Sequence, residues 1–229
     1  MKKLRISQEF AYILATILIS FGVAMSAQAD LGMSMIVAPA YILSLRFEAL
    51  SFGQAEYIVQ ALVFLLFCLV VRRFKPIRLC SFLSGILYGA VLDLVRAVIP
   101  ALNPSVYPAG SFSMPARIAL FVAAALITAL SIALYFRAYF YPQVYDYVVR
   151  ELSERSGMTV AKFKTLYDLS YLTVAVVLSL AFFGALRGVG IGTVALALVN
   201  GSVIGFFGGV LDRYVEFYPR FPRLAERFE

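Results

Sequence analysis

Six stretches of predominantly apolar residues, each close to twenty long, constrain this chain more than anything else in it. They lie at roughly 10–29, 54–71, 79–99, 116–137, 165–186 and 190–212. About twenty residues in an α-helix rise some 30 Å, the thickness of a bilayer's hydrocarbon core. A helix that is apolar on every side needs lipid or a buried core around it. Of the 229 residues, 62% are hydrophobic and 14% charged, and mean hydropathy is +0.88. A soluble domain has about a quarter of its residues charged. The expected fold class is therefore all-α, a polytopic transmembrane helical bundle, and the lipid bilayer is the chain's first partner.

Net charge is +7, and its distribution orients the bundle. Threading six spans puts Lys2, Lys3 and Arg5 on one side with Arg72, Arg73, Lys75 and Arg78. Arg137, Arg150, Arg155, Lys162, Lys164, Arg213, Arg220, Arg223 and Arg227 join them there. The other side receives mainly Arg46 and Arg187, and the link PALNPSVYPAGSFSMP carries no charge. The positive-inside rule then places both termini in the cytoplasm and the chain in the cytoplasmic membrane. Charge laid out this way excludes nucleic acid as a partner. With no histidine, His-based metal sites, triads and proton relays are excluded, and no cofactor is implied. Cys68 and Cys80 read as small packing residues in a compartment where disulfides are rare. The N-terminal run ends in Ala27-Gln28-Ala29, like a signal peptide before its cleavage site. Its length favours an uncleaved first span.

Between the spans lie two shorter pieces, at about 32–46 and 142–155. The first contains Pro39 and the second carries five charges. Each reads as a half-helix, a re-entrant segment or an interfacial helix. The order span, short helix, span, span thus occurs twice, in about 10–99 and about 116–215, within a single membrane domain ending in a cytoplasmic tail at 216–229. The clearest echo is GAVLDLV from Gly89 against GGVLDRYV from Gly208, with Asp93 and Asp212 in matching places. Three spans per copy is odd, so the second copy is inserted in the opposite sense, the inverted-repeat plan of many secondary transporters.

Ionisable residues inside spans are costly and point to function. The candidates are Asp93, Arg96, Arg117, Asp168 and Asp212, with Asp30 and Glu56 near span ends and Asp146 on the second short helix. Small residues recur every four positions at Ser81, Gly85 and Gly89, and again at Ala197, Gly201, Gly205 and Gly209. Such stripes let helix backbones approach closely in lipid. The link Gly184 to Val194 holds four glycines in nine residues beside Arg187. It reads as a tight turn, or as unwound backbone at Gly190 and Thr193 with Arg187 facing an anion. Tyr167-Asp168 and Gly209-Val210-Leu211-Asp212 partly match the paired aspartates of intramembrane proteases. The second motif lacks its second Gly, so no enzyme is expected.

The second half resembles the YczE/YyaS/YitT-like integral membrane family. The resemblance rests on Pro142 with Asp146, on Asp168 in the next span, and on Gly188 to Thr193 ahead of Gly201 and Gly205. In the first half, Asp30-Leu31-Gly32 matches the family's Leu-Gly, while Met35, Ile36 and Val37 stand where the family has a Pro and an acidic residue. The resemblance implies a multi-spanning protein often described as a transporter, with no agreed substrate. The expected function is secondary transport of a small molecule or ion, bound near the midplane. Asp146 and Asp168 would sense a proton or cation, Arg187, Gly190 and Thr193 would line an anion contact, and Asp93 and Asp212 are further candidates. The alternative is a non-transporting regulatory or scaffold protein, and a homo-oligomer is compatible with either.

Overall fold

The computed structural model describes residues 3–72, 77 and 79–228; Lys2, Arg73, Lys75 and Arg78 of the basic segments lie outside them. Its spanning helices are α1 (Gln8–Ala29), α3 (Phe52–Val71), α4 (Leu79–Val98), α5 (Met114–Tyr135), α7 (Val160–Phe183) and α8 (Ile191–Tyr214). Between them lie the short helices α2 (Ala38–Arg46) and α6 (Val144–Ser156). Local chemistry sets the boundaries. Ser7, Ser51 and Thr159 cap α1, α3 and α7 by accepting a backbone N–H, and Ser51 with Gln54 forms a full capping box. Pro39 sits in the first turn of α2, where its missing N–H costs nothing. Gly157 and Gly184 end α6 and α7 in the left-handed conformation.

Lipid tails are as apolar as leucine, so small residues and interhelical hydrogen bonds hold the spans together. The antiparallel pair α1–α5 is the most extensively packed in the bundle. Ala11 and Ala15 on α1 and Ala124, Ala129 and Ala133 on α5 are all buried. Gly22 lies against Ala124 and Thr128 so closely that a Cβ would collide with the Thr128 hydroxyl. Ser131 donates to the Ala15 carbonyl at 2.6 Å and Tyr135 to Thr16 at 2.9 Å. α4 packs on α1 in the same direction, and α8 packs on α5. The stripe Ser81, Gly85 and Gly89 is buried, with Gly85 and Gly89 against Gln60, Tyr57 and Gly53 of α3.

Both short helices have buried N-terminal turns and exposed C-terminal residues. In α2, Ala38 to Ile42 are buried and Leu45 and Arg46 exposed; in α6, Val144 and Tyr145 are buried and Glu154 to Ser156 exposed. Each packs on the span that follows it and on the other half: α2 on α3 and α7, α6 on α7, α3 and α4. One feature had no sequence signal. Strand β1 (Leu4–Ser7) pairs in parallel with β2 (Val215–Tyr218), which ties the two ends of the chain together at one end of the bundle. This is the terminal end of the bundle.

Candidate functional site

The polar centre of the bundle forms where α6 meets α3. After α5 the chain turns back through Pro142 and Gln143, so that α6 starts inside the core, beside Glu56 and Gln60 of α3. Glu56 and Gln60 are both fully buried. Glu56 Oε2 accepts a hydrogen bond from the Tyr145 hydroxyl at 2.9 Å and a long one from Gln60 Nε2 at 3.4 Å. Gln60 Nε2 also faces Gln143 Oε1 at 3.3 Å, and the Val144 N–H at the α6 N-terminus reaches Gln60 Oε1 at 3.4 Å. These long contacts are weak hydrogen bonds. Glu56 Oε1 and the Tyr88 hydroxyl, both buried, have no partner among the described residues. Tyr88 on α4, Tyr145 on α6 and Tyr171 on α7 are within electrostatic range of Glu56. Buried polar groups are nearly always paired, so two orphans beside one carboxyl are an anomaly that calls for a reason.

The sequence reading put Glu56 near a span end, where a charge can reach water. Glu56 is indeed near the start of α3, the fifth residue after the Ser51 cap, yet it is fully enclosed rather than open to water. The neighbours that cover it, α4 and α6, both pack on α3. Gln60 and Gln143 had no signal of their own in the sequence, since uncharged amides in an apolar run stand out less than carboxylates.

A second polar group lies nearer the terminal end. Asp168 on α7 pairs with Lys164 one turn away, at 2.7 Å. Asp146 in the first turn of α6 is within electrostatic range of both. Burial pushes the Asp146 carboxyl above its usual range; Lys164 opposes that shift and the Asp168 charge adds to it. Asp146 and Asp168, singled out in the sequence, are thus brought together. Arg187 is not with them. It follows the far end of α7, about 22 Å from Asp168 along the helix axis. Its backbone N–H donates to Ser179 and its guanidinium lies 4.9 Å over the Phe183 ring.

The glycine-rich turn is occupied by the other half of the chain. Met33 N–H donates to the Gly188 carbonyl at 2.9 Å and Gly192 N–H to the Leu31 carbonyl at 2.8 Å. Gly32, at φ +114°, is pressed against Gly190 and Thr193, and the Thr193 hydroxyl accepts from Gly190 N–H. Gly190 and Thr193 therefore join two loops. Asp93 joins two helices: its carboxylate accepts from the Ser51 hydroxyl at 2.5 Å and from Gly53 N–H at 2.8 Å, fastening the end of α4 to the start of α3. Asp212, at the matching place on α8, has a different partner. It accepts from Arg137 Nε and Nη2, at 2.8 and 2.6 Å, and its side chain is two-thirds exposed.

The two halves differ at that point. α3 and α4 pack extensively, whereas α7 and α8 have no comparable contact. Ala197, Gly201, Gly205 and Gly209 on α8 are exposed, and a Cβ at any of the three glycines would meet nothing within 4 Å. An open groove of about 600 Å³ runs there, lined by Phe136, Arg137, Gly201, Gly205, Gly208 and Asp212 among others.

Among the described residues, six long apolar helices around a buried polar centre make this a multi-pass membrane protein. No curated protein and no solved structure matches the chain. Residues 6–209 match the profile of DUF6198, a family of unknown function, and the chain belongs to that family.

Proposed function

We propose that this protein is a secondary transporter that carries a small solute across the cytoplasmic membrane, with both termini inside. The observation that carries this reading is the junction of α6 with α3, where the end of a half-helix from one half meets a fully buried carboxyl from the other. Half-helix termini converging on a midplane site between repeats are the signature of such transporters. The paired roles of α2 and α6, the parallel pairs α1–α4 and α5–α8 and the antiparallel pair α1–α5 support two inverted repeats. The basic residues gathered at the terminal end, Lys3, Arg5, Lys162, Lys164, Arg213 and Arg220 among them, support its being cytoplasmic. The likeness of the second half to YczE/YyaS/YitT-like proteins fits a distant kinship between that family and this one.

In this reading the solute binds beside Glu56, Gln60, Gln143 and Tyr145. Asp146 and Asp168 sense a cation on the cytoplasmic side, and Arg187 faces an anion on the other. Asp93 holds α3 and α4 shut, and the open face of α8 is the cytoplasmic route. In the opposite state α7 closes on α8 and Asp212 leaves Arg137 for the capped start of α7 near Thr159, as Asp93 now holds the start of α3. Uptake into proteoliposomes with a panel of labelled solutes tests this. At least one solute accumulates with the wild type and fails to with Glu56→Gln. Unchanged uptake in Asp146→Asn and Asp168→Asn would remove the roles given to those residues.

A second reading, a non-transporting scaffold or regulator, is favoured by the exposed small-residue face of α8, which suits a helix of another membrane protein. It predicts stoichiometric co-purification with that protein and loss of the complex in Gly205→Leu.

A further inference from the structure

We infer that Glu56 is a proton-exchange site, loaded from the terminal end of the bundle along the tyrosines of α6 and α7. This deepens the transport reading, on which it rests, by naming the coupling ion.

The geometry selects a proton over other cations. Glu56 is completely enclosed and no Lys or Arg pairs with it among the described residues. A bare carboxylate in hydrocarbon is far too costly to persist, so it must take up a positive counter-charge. A metal cation would need several oxygen ligands turned toward it. Here Gln60 and Tyr145 present N–H and O–H groups to the carboxylate, and the Gln60 oxygen faces the Val144 N–H instead. No group of three or more acidic or Cys side chains converges anywhere among the described residues. A proton needs no such cage. Taken up on Oε2, it lets that atom donate to the Tyr145 oxygen and leaves the orphaned Oε1 as an uncharged carbonyl oxygen, far less costly to bury than a carboxylate.

Phenols line the way from this carboxyl toward the polar group near the terminal end, through one ring contact and one hydroxyl contact. Tyr145 touches Glu56, and its ring stands edge-on to that of Tyr171 at 5.6 Å. Tyr171 and Tyr167 share a hydroxyl–hydroxyl contact of 3.2 Å. Tyr167 is in turn within electrostatic range of Asp146 and Asp168. Each hydroxyl can accept a proton on its oxygen while releasing its own. In loading, Tyr145 gives its hydroxyl proton to the Glu56 carboxylate and takes a replacement from the Tyr171 side. One O–H bond forms and one breaks at each step, and the net change is one proton on Glu56. Release is the reverse. The titratable groups facing Glu56 are Tyr88 from α4, Tyr145 from α6 and Tyr171 from α7. Tyr41 of α2 lies in the same core cluster, and Asp93 stands farther along α4.

Infrared difference spectroscopy tests this on the full chain in phosphatidylcholine vesicles, with protons and deuterons as the only probe. Other Asp and Glu carboxyls also protonate at low pH, so the signal read is the carbonyl-band component present in the wild type and missing from Glu56→Gln; it shifts in D₂O and vanishes as pH rises. Tyr145→Phe keeps the band but slows its return after a pH jump by about a hundredfold, the usual effect of losing a positioned proton carrier. Wild-type spectra that match those of Glu56→Gln at every pH, or a Glu56 component that never responds to pH, overturn the inference. If Glu56→Gln does not fold, Glu56→Asp must move the titration step, and an unmoved step overturns it equally. A titrating Glu56 with no solute uptake leaves the proton site standing and removes transport. Uptake indifferent to an imposed pH gradient, with no titrating Glu56 component, does the opposite.

Discussion

Replacing Asp93 by Ala should separate the start of α3 from the end of α4. The carboxylate accepts from Ser51 Oγ at 2.5 Å and from Gly53 N–H at 2.8 Å. Interhelical hydrogen bonds in lipid contribute about 0.6 to 1.7 kcal/mol each, and an anion at a helix N-terminus adds about 0.3 to 1 kcal/mol. Two bonds and the dipole term together give a loss of about 2–4 kcal/mol. Equilibrium unfolding in bicelles by steric trapping measures it directly. Ser51→Ala and the double variant complete a cycle whose coupling should be about 1 kcal/mol, because the two side chains share one bond. A loss below about 0.5 kcal/mol, or strict additivity, would refute the claim that this contact closes the first half. Asp212→Ala should destabilise less, since its side chain is mostly exposed and its pairing with Arg137 is screened.

Gly53→Ala forces a methyl group against the Gly89 carbonyl and Asp93. It should cost about 1–3 kcal/mol, while Gly205→Ala, with open space around it, leaves the stability of the monomer unchanged; both are read by thermal unfolding. If α7 must close on α8 during a cycle, Gly205→Leu folds normally yet abolishes uptake. Tyr139 donates to Glu9, whose carboxylate also accepts the Arg220 and Phe221 N–H groups of the C-terminal segment. Burial first, then Glu9, pushes the Tyr139 phenol up to about 12. The folded form therefore keeps that proton between the ordinary value near 10 and about 12, where the unfolded form has lost it. The contact is intact below pH 10 and weakens as pH rises toward 12. Limited proteolysis of the segment should accelerate over that window, and Tyr139→Phe should remove the pH dependence.

Much of this architecture was legible in the residues, and the reasons are physical. Hydrophobic runs long enough to span leave no soluble alternative, so six spans follow from periodicity and length. Pro39 and the charges after Pro142 mark α2 and α6 as too short or too polar to cross. The Asp93–Asp212 echo drew attention to both helix ends, although it could not tell that Asp93 would hold Ser51 while Asp212 would hold Arg137. Spacing along one helix says which residues share a face and nothing of which neighbour comes to that face. For the same reason the position of Glu56 near a span end does not reveal that it is enclosed. Its enclosure depends on α6 turning back into the core, a tertiary event. The β1–β2 pairing was hidden too, since two four-residue segments two hundred residues apart carry no local signal of each other.

The most direct test asks whether the junction of α3 and α6 is reached by water from both sides of the membrane. Cys68 and Cys80 are replaced by Ala, and Gln143, buried beside Gln60, by Cys. A membrane-impermeant thiol reagent is then applied to right-side-out and to inside-out vesicles. Alternating access predicts labelling in both, with the cytoplasmic rate falling when α7 is crosslinked to α8 and the outer rate rising. Protection from both sides would mean a sealed core and would contradict transport through this junction.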